Sequence, residues 1–241
     1  MTKVCVCALL YGNDSHCENL ALRLLNKEFI ELGKYADLRI GLNAVGTATR
    51  QIVSGVVEKL PDTLVIDSPE NIHKYPMMRR LFDARPIGAP LTMWFDDDSC
   101  IVPETNIDEW LNRISKQLNT YAIVGSVYLH GYTGGQRDWI KAQSWYRSKA
   151  PTRCLNYVAG GWWTAQTNVL HELNWPPAGL KNRGGDIMLG EAMRQNNFLI
   201  GHFRDNLWIS ANASGVESKS PRRGGTEVPA GVDYVPRGVV P

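Results

Sequence analysis

The sequence predicts an α/β domain with a mostly parallel central sheet, flanking helices and a smaller subdomain drawn from the second half of the chain. Three observations carry this. Short apolar runs alternate with amphipathic segments through the first half, the order that parallel strands joined by crossover helices require. A length of 241 residues, 44% hydrophobic and 21% charged, suffices for one large core. Beyond about residue 130 the alternation gives way to a stretch rich in Trp, Tyr and Gly.

In chain order, "KVCVCALLYG" is a buried strand and "SHCENLALRLLNKEFIELG" a single helix, opened by a capping box of Ser15 and Glu18 and closed by Gly33. "DLRIGLNA" is the second strand. "TATRQIVSGVVEKL" repeats Ala48, Ile52, Val56 and Leu60 at every fourth position, a helical period. "DTLVIDS" is a third strand, "ENIHKYPMMRRLF" a helical crossover interrupted by Pro76, and "PLTMWF" a fourth strand ending in Asp96, Asp97 and Asp98. "NIDEWLNRISKQL" places Ile107, Trp110, Leu111, Ile114 and Leu118 on one face, and "YAIVGSVYL" follows as a strand. "TNVLHEL" and "DIMLGEAMRQN" are short helices before the strand "FLIGHF". The tail beyond Trp208 is dense in Gly, Pro, Ser and charge and is expected to be mobile without a ligand.

A net charge of +2 is too small for wholesale binding to nucleic acid or an anionic membrane. The five cysteines are odd in number and lack a C-x-x-C pair, which fits reduced thiols in apolar segments. No apolar run approaches the roughly 20 residues of a membrane helix, and the first residues do not form a secretory signal; a cytoplasmic location is expected.

The aspartate triplet is the chemical signal. Open α/β sheets bind ligands beyond the carboxyl ends of their strands, where "FDDD" falls. Adjacent carboxylates repel, and a hard divalent cation, Mg²⁺ or Mn²⁺, offsets that repulsion while bridging to a diphosphate. The alternative is a solvated acidic turn capping the next helix.

"MWFDDDSCIVP" resembles the D-x-D segment of nucleotide-sugar glycosyltransferases with the GT-A (Rossmann-like) fold. "NYVAGGWWTAQTNVLHELNWP" is similar to their Gly-Gly-aromatic acceptor segment, "GGDIMLGEAMRQNNF" to the helix start bearing the catalytic base, and "IGHF" to a late strand whose His can ligate the metal. Motif order is nearest to the inverting family that includes chitin and cellulose synthases, over Lys3 to Phe203. The resemblance implies transfer from a nucleotide-sugar, a UDP-sugar first, with Mn²⁺ or Mg²⁺. It places Asp96 at the ribose and metal, Asp98 on the metal, His202 as third ligand and Asp186 as general base. A core histidine and a helix cap are the plain alternatives for the last two. Tyr11, Asn13 and Asn43 fall where the family holds nucleobase and ribose, and Lys74 and Arg79 where it meets base and diphosphate. Gly160, Gly161, Trp162 and Trp163 form the acceptor side. Two adjacent indoles are not expected both to point inward on a strand, so one is expected to stack on a sugar or base.

Residues 1–208 then form the transferase domain, nucleotide-binding to about 104 and acceptor-side from about 105. Residues 209–241 are expected to form a mobile Gly/Pro-rich basic tail or a lid, with Arg222 and Arg223 expected at the diphosphate. Two departures qualify the match. Gly185–Asp186 replaces the usual acidic pair, and the Q-x-x-R-W signature of processive synthases is absent, implying single addition. Without flanking membrane helices a soluble acceptor is expected: a glycan or small molecule, or a hydroxymethylated pyrimidine in DNA, which "SKSPRRGG" permits. A non-catalytic sugar- or nucleotide-binding module is the alternative that "GGD" supports. A D-x-D phosphatase would carry its motif on the first strand, not the fourth.

Overall fold

A computed structural model of the chain describes residues 3–131, 140–150, 152, 154–182 and 184–203. Arg222 and Arg223, with the whole expected lid, lie outside the described residues.

Four parallel strands form one half of the sheet: β1 (Val4–Tyr11), β2 (Ala36–Asn43), β3 (Leu64–Ser68) and β4 (Leu91–Phe95). They are linked by α1 (Ser15–Leu24), α2 (Lys27–Gly33), α3 (Thr47–Lys59) and α4 (Lys74–Asp83). The chain continues through α5 (Ile107–Leu118), β5 (Ile123–Gly131), β6 (Cys154–Gln166), α6 (Thr167–Glu172), α7 (Gly185–Gln195) and β7 (Ile200–His202). All seven strands join one sheet in the order β3-β2-β1-β4-β6-β5-β7, so the two expected parts share a single sheet. β6 runs antiparallel to both of its neighbours, and the other pairings are parallel.

Several local expectations are corrected by side-chain chemistry. The first long helix is two. Asn26 caps α2 by accepting from Phe29 N–H at 2.9 Å and donates to the Ile101 carbonyl at 2.8 Å, which turns the chain and ties it to the segment after β4. The cap of α1 is Asp14, whose Oδ1 accepts from Cys17 N–H at 2.8 Å, and Ser15 is already helical. The buried face of α3 is Thr49, Val53 and Val56, with Ile52 and Leu60 at its margin. Pro76 does not interrupt α4; it lies in the first turn, where its missing N–H has no intrahelical partner to lose.

Both faces of the sheet are covered. β1 sends Val4, Val6, Ala8 and Leu10 into a core with Phe29 and Trp110, and Cys5, Cys7 and Leu9 into a second with Met77, Leu81 and Trp94. A strand buried on both sides reads as a continuous apolar run, as "VCVCALL" does. The same geometry corrects the reading of the paired indoles. Trp162 lies in the first core against Trp110 and Phe203, while Trp163 lies in the second, stacked on Trp94 at 6.4 Å. They are 2% and 3% exposed, so both point inward, to opposite sides, and neither offers a ring to a ligand.

Arg39 on β2 is fully buried. It pairs with Asp37 at 2.6 Å and donates to the carbonyls of Leu81, Arg85 and Pro86 at 2.6, 3.0 and 3.2 Å, holding the C-terminal end of α4 on the sheet. The five cysteines are free thiols, all buried except Cys154. Among the described residues no helix is long and apolar enough to cross a membrane.

Candidate functional site

The aspartates lie where β4 ends beside β6. Asp96 N–H donates to the Gly161 carbonyl at 2.8 Å. Its Oδ1 accepts from the Trp94 indole N–H at 2.8 Å and its Oδ2 from Lys74 Nζ at 2.6 Å. Lys74 opens α4, and its ammonium also donates to the Gly160 carbonyl at 2.8 Å. It lies 5.6 Å and 5.9 Å from the ring centroids of Tyr75 and Trp94, within cation–π range. The two side chains are only 14% and 22% exposed, so each charge depends on the other.

The backbone of β6 makes this convergence possible. Its register against β5 breaks between Gly125 and Val127, opposite Val158 to Trp163, so the strand bulges at the glycine pair. Bulges re-aim backbone groups at the margins of sheets. Here the Gly160 carbonyl meets Lys74, and the Gly161 carbonyl takes both Asp96 N–H and, at 2.7 Å, the Ser99 hydroxyl. A Cβ on Gly160 would lie 2.9 Å from Lys74 Nζ and 4.0 Å from Asp186 Oδ2. Lys74 and Asp186 therefore flank the same residue, and glycine leaves them the space.

Asp186 is the second residue of α7. Surrounding protein pushes its carboxyl above the usual range; the Lys74 charge opposes the shift, and the Asp96 charge adds to it. Gly184, at φ +78°, turns the chain into the helix, a conformation that favours glycine. Gly185 lies beneath the Tyr75 ring, and a Cβ there would fall well inside van der Waals contact with the phenol. Burial, followed by the charges of Asp186 and Asp96, keeps the Tyr75 phenol protonated. "GGD" thus has a steric cause: Tyr75 fills the space that an acidic side chain before Asp186 would need.

The other expected residues divide. Tyr11 and Asn43 end β1 and β2 side by side, and Asn13 packs against Gly46 at the start of α3. Asn43 is 2% exposed; its amide donates to Asn71 at 3.0 Å and accepts from Ile72 N–H at 2.8 Å, so it holds the loop leading to α4 and is not presented to a ligand. Arg79 donates to the Pro176 carbonyl and belongs to the packing of the loop before α7, away from the aspartates. His202 accepts from Val127 N–H through Nδ1 at 3.0 Å, on a strand three places from β4, about 14 Å across the sheet.

Among the described residues no three His, Cys, Asp or Glu side chains converge on one point, and both oxygens of Asp96 are engaged. Half-buried Asp98 supplies a hard carboxylate oxygen. One such ligand fits Mg²⁺ or Mn²⁺ when phosphate oxygens and water complete the shell. Tyr75 and Trp94 were not anticipated; the signals were the glycine pair, which marks a close approach, and the aromatic residue two before Asp96.

The described chain superposes on solved glycosyltransferases of the GT-A type. A mannosyltransferase, PcManGT from Pyrobaculum calidifontis in complex with GDP-Man and Mn²⁺, matches with a TM-score of 0.55 and 15% identity, over 84% of this chain and 55% of that one. Residues 1–349 of S. aureus TarS in complex with UDP match with a TM-score of 0.57 and 16% identity, over 87% of this chain and 60% of that one. The chain thus spans little more than half the length of these proteins. No family model matches the sequence, and no curated protein does. The fold is GT-A.

Proposed function

We propose that the chain is a metal-dependent, inverting glycosyltransferase that moves a sugar from a nucleotide-sugar, a UDP-sugar first, to an acceptor hydroxyl. One observation carries the reading: the Lys74–Asp96 pair and Asp186 meet around Gly160 at the carboxyl end of β4, on a GT-A sheet. Structural neighbours hold GDP-Man with Mn²⁺ and UDP, which supports this class of donor and ion. The order of the motifs supports a place beside the inverting family that includes chitin and cellulose synthases.

In this mechanism Asp186 accepts the proton of the acceptor hydroxyl as its oxygen bonds to the anomeric carbon and the bond to the diphosphate breaks. A base on the face opposite the leaving group gives a single displacement with inversion. Lys74 orients Asp96 and keeps positive charge near the departing phosphates. Tyr75 fixes the start of α7 and hence the direction of the Asp186 carboxylate. Asp98, with Asp96 beside it, would hold the ion, which when bound neutralises charge on the diphosphate.

Titration calorimetry of UDP with Mn²⁺ tests the reading: binding is expected, and it is lost in excess chelator and in Asp98→Asn. Equal affinity with chelator present would remove the metal from the proposal. Absence of nucleotide binding under any condition would remove the donor.

A further inference from the structure

With Trp162 and Trp163 buried, the acceptor side of Asp186 needs another surface, and β5 and β6 present one. Tyr157 on β6 lies against α7: a Cβ on Gly190 would come within 2.7 Å of its Cβ, so glycine allows strand and helix to close together. The Asp186 charge reaches the half-buried Tyr157 phenol. Tyr128 is its cross-strand partner on β5 and stacks on it, ring centroids 6.1 Å apart and planes 29° from parallel. Tyr128 is 48% exposed, one of few large apolar side chains so open among the described residues. Along β6, Tyr157 lies three residues from Gly160, about 10 Å beyond the carbonyl that holds Lys74 and on the side away from Asp96.

Resting on the reading of Asp186 as the base, we propose that Tyr128 and Tyr157 form the acceptor subsite. A sugar ring lies with its C–H face on the phenols and its reacting hydroxyl toward Asp186. Two observations select a sugar over a nucleobase. Stacked phenols pair an apolar face with polar tips, as a sugar ring does. Neither strand carries a Lys or Arg, and a nucleic-acid backbone requires cations along its path.

Saturation-transfer NMR tests this without turnover, using millimolar methyl β-D-glucopyranoside, methyl α-D-mannopyranoside and the methyl glycoside of N-acetylglucosamine. Saturation concentrated on one ring face is expected for at least one of them. It should fall about ten-fold or more in Tyr128→Ala and persist in Tyr128→Phe, which keeps the ring. Tyr128 is exposed, and circular dichroism of each variant should match the parent. The proposal is overturned if no glycoside is saturated, if Tyr128→Ala saturates as the parent does, or if only a single-stranded hexathymidylate is saturated at its bases. Calorimetry of UDP with Mn²⁺ on the same samples separates the two claims. Nucleotide binding without glycoside saturation removes the subsite alone; Tyr128-dependent saturation without nucleotide binding supports the subsite and removes the transferase reading.

Discussion

Lys74 governs two carboxylates at once, bonding directly to Asp96 and acting through space on Asp186. As a base, Asp186 works only when deprotonated, and its raised pKa moves the acid limb of kcat/KM above the ordinary carboxylate value of about 3.9. Activity should fall as pH drops through that limb. Lys74→Met removes the opposing charge, so the limb should shift further upward and nucleotide affinity should weaken; a pH profile beside calorimetry reads both effects. An unmoved limb would detach Lys74 from the base. Asp186→Asn should lower turnover about 10²- to 10⁴-fold with nucleotide affinity nearly unchanged. The carboxylates were legible in the sequence because D-x-D and "GGD" each combine charge with a strand end or helix start. Lys74 was named there by resemblance alone, and its pairing with Asp96 was not legible, since periodicity places Lys74 on a helix without saying where that helix's first turn will rest. The indoles were misread for a related reason: alternation assigns neighbours to opposite faces but does not say whether both faces are covered.

At the scale of elements, the start of α7 is set by the contact of Gly185 with Tyr75. Gly185→Ala forces the added methyl into the phenol and should cost about 1–3 kcal/mol, read from urea midpoints. Adding Tyr75→Ala opens the space, so the double variant should be more stable than the sum of the singles predicts, whereas strict additivity would mean that the contact carries no strain. Amphipathic helices were the readable elements: all five residues assigned to the buried face of α5 lie there. β6 was hidden because its glycine pair argues against a strand, and the bulge that the glycines allow is visible only once β5 lies beside it.

For the whole molecule, the placement of α4 depends on a buried charge. Burial opposes ionisation of Asp37, but hydrogen bonds from Arg39 and Arg85 prevail and hold its carboxyl below the usual range. A depressed carboxyl contributes stability that is fully present above about pH 4 and is lost as pH falls through its folded value. Arg39→Met should cost about 3 kcal/mol at neutral pH, leaving carbonyls at the end of α4 without their donor, and should flatten this acid dependence. A retained urea midpoint would exclude such an anchoring role. The chain-wide order of the sheet has a consequence for synthesis. β4 is bordered on one side by β1 and on the other only by β6, and Thr92 waits for Thr167, 75 residues later. A ribosome delivers the β3-β2-β1-β4 half first, with the fully buried strand "LTMWF" as an open edge. During that interval the nascent chain presents a sticky, unpaired border, and its survival rests on chaperone cover or on translation fast enough to bring β6 out before another chain docks there.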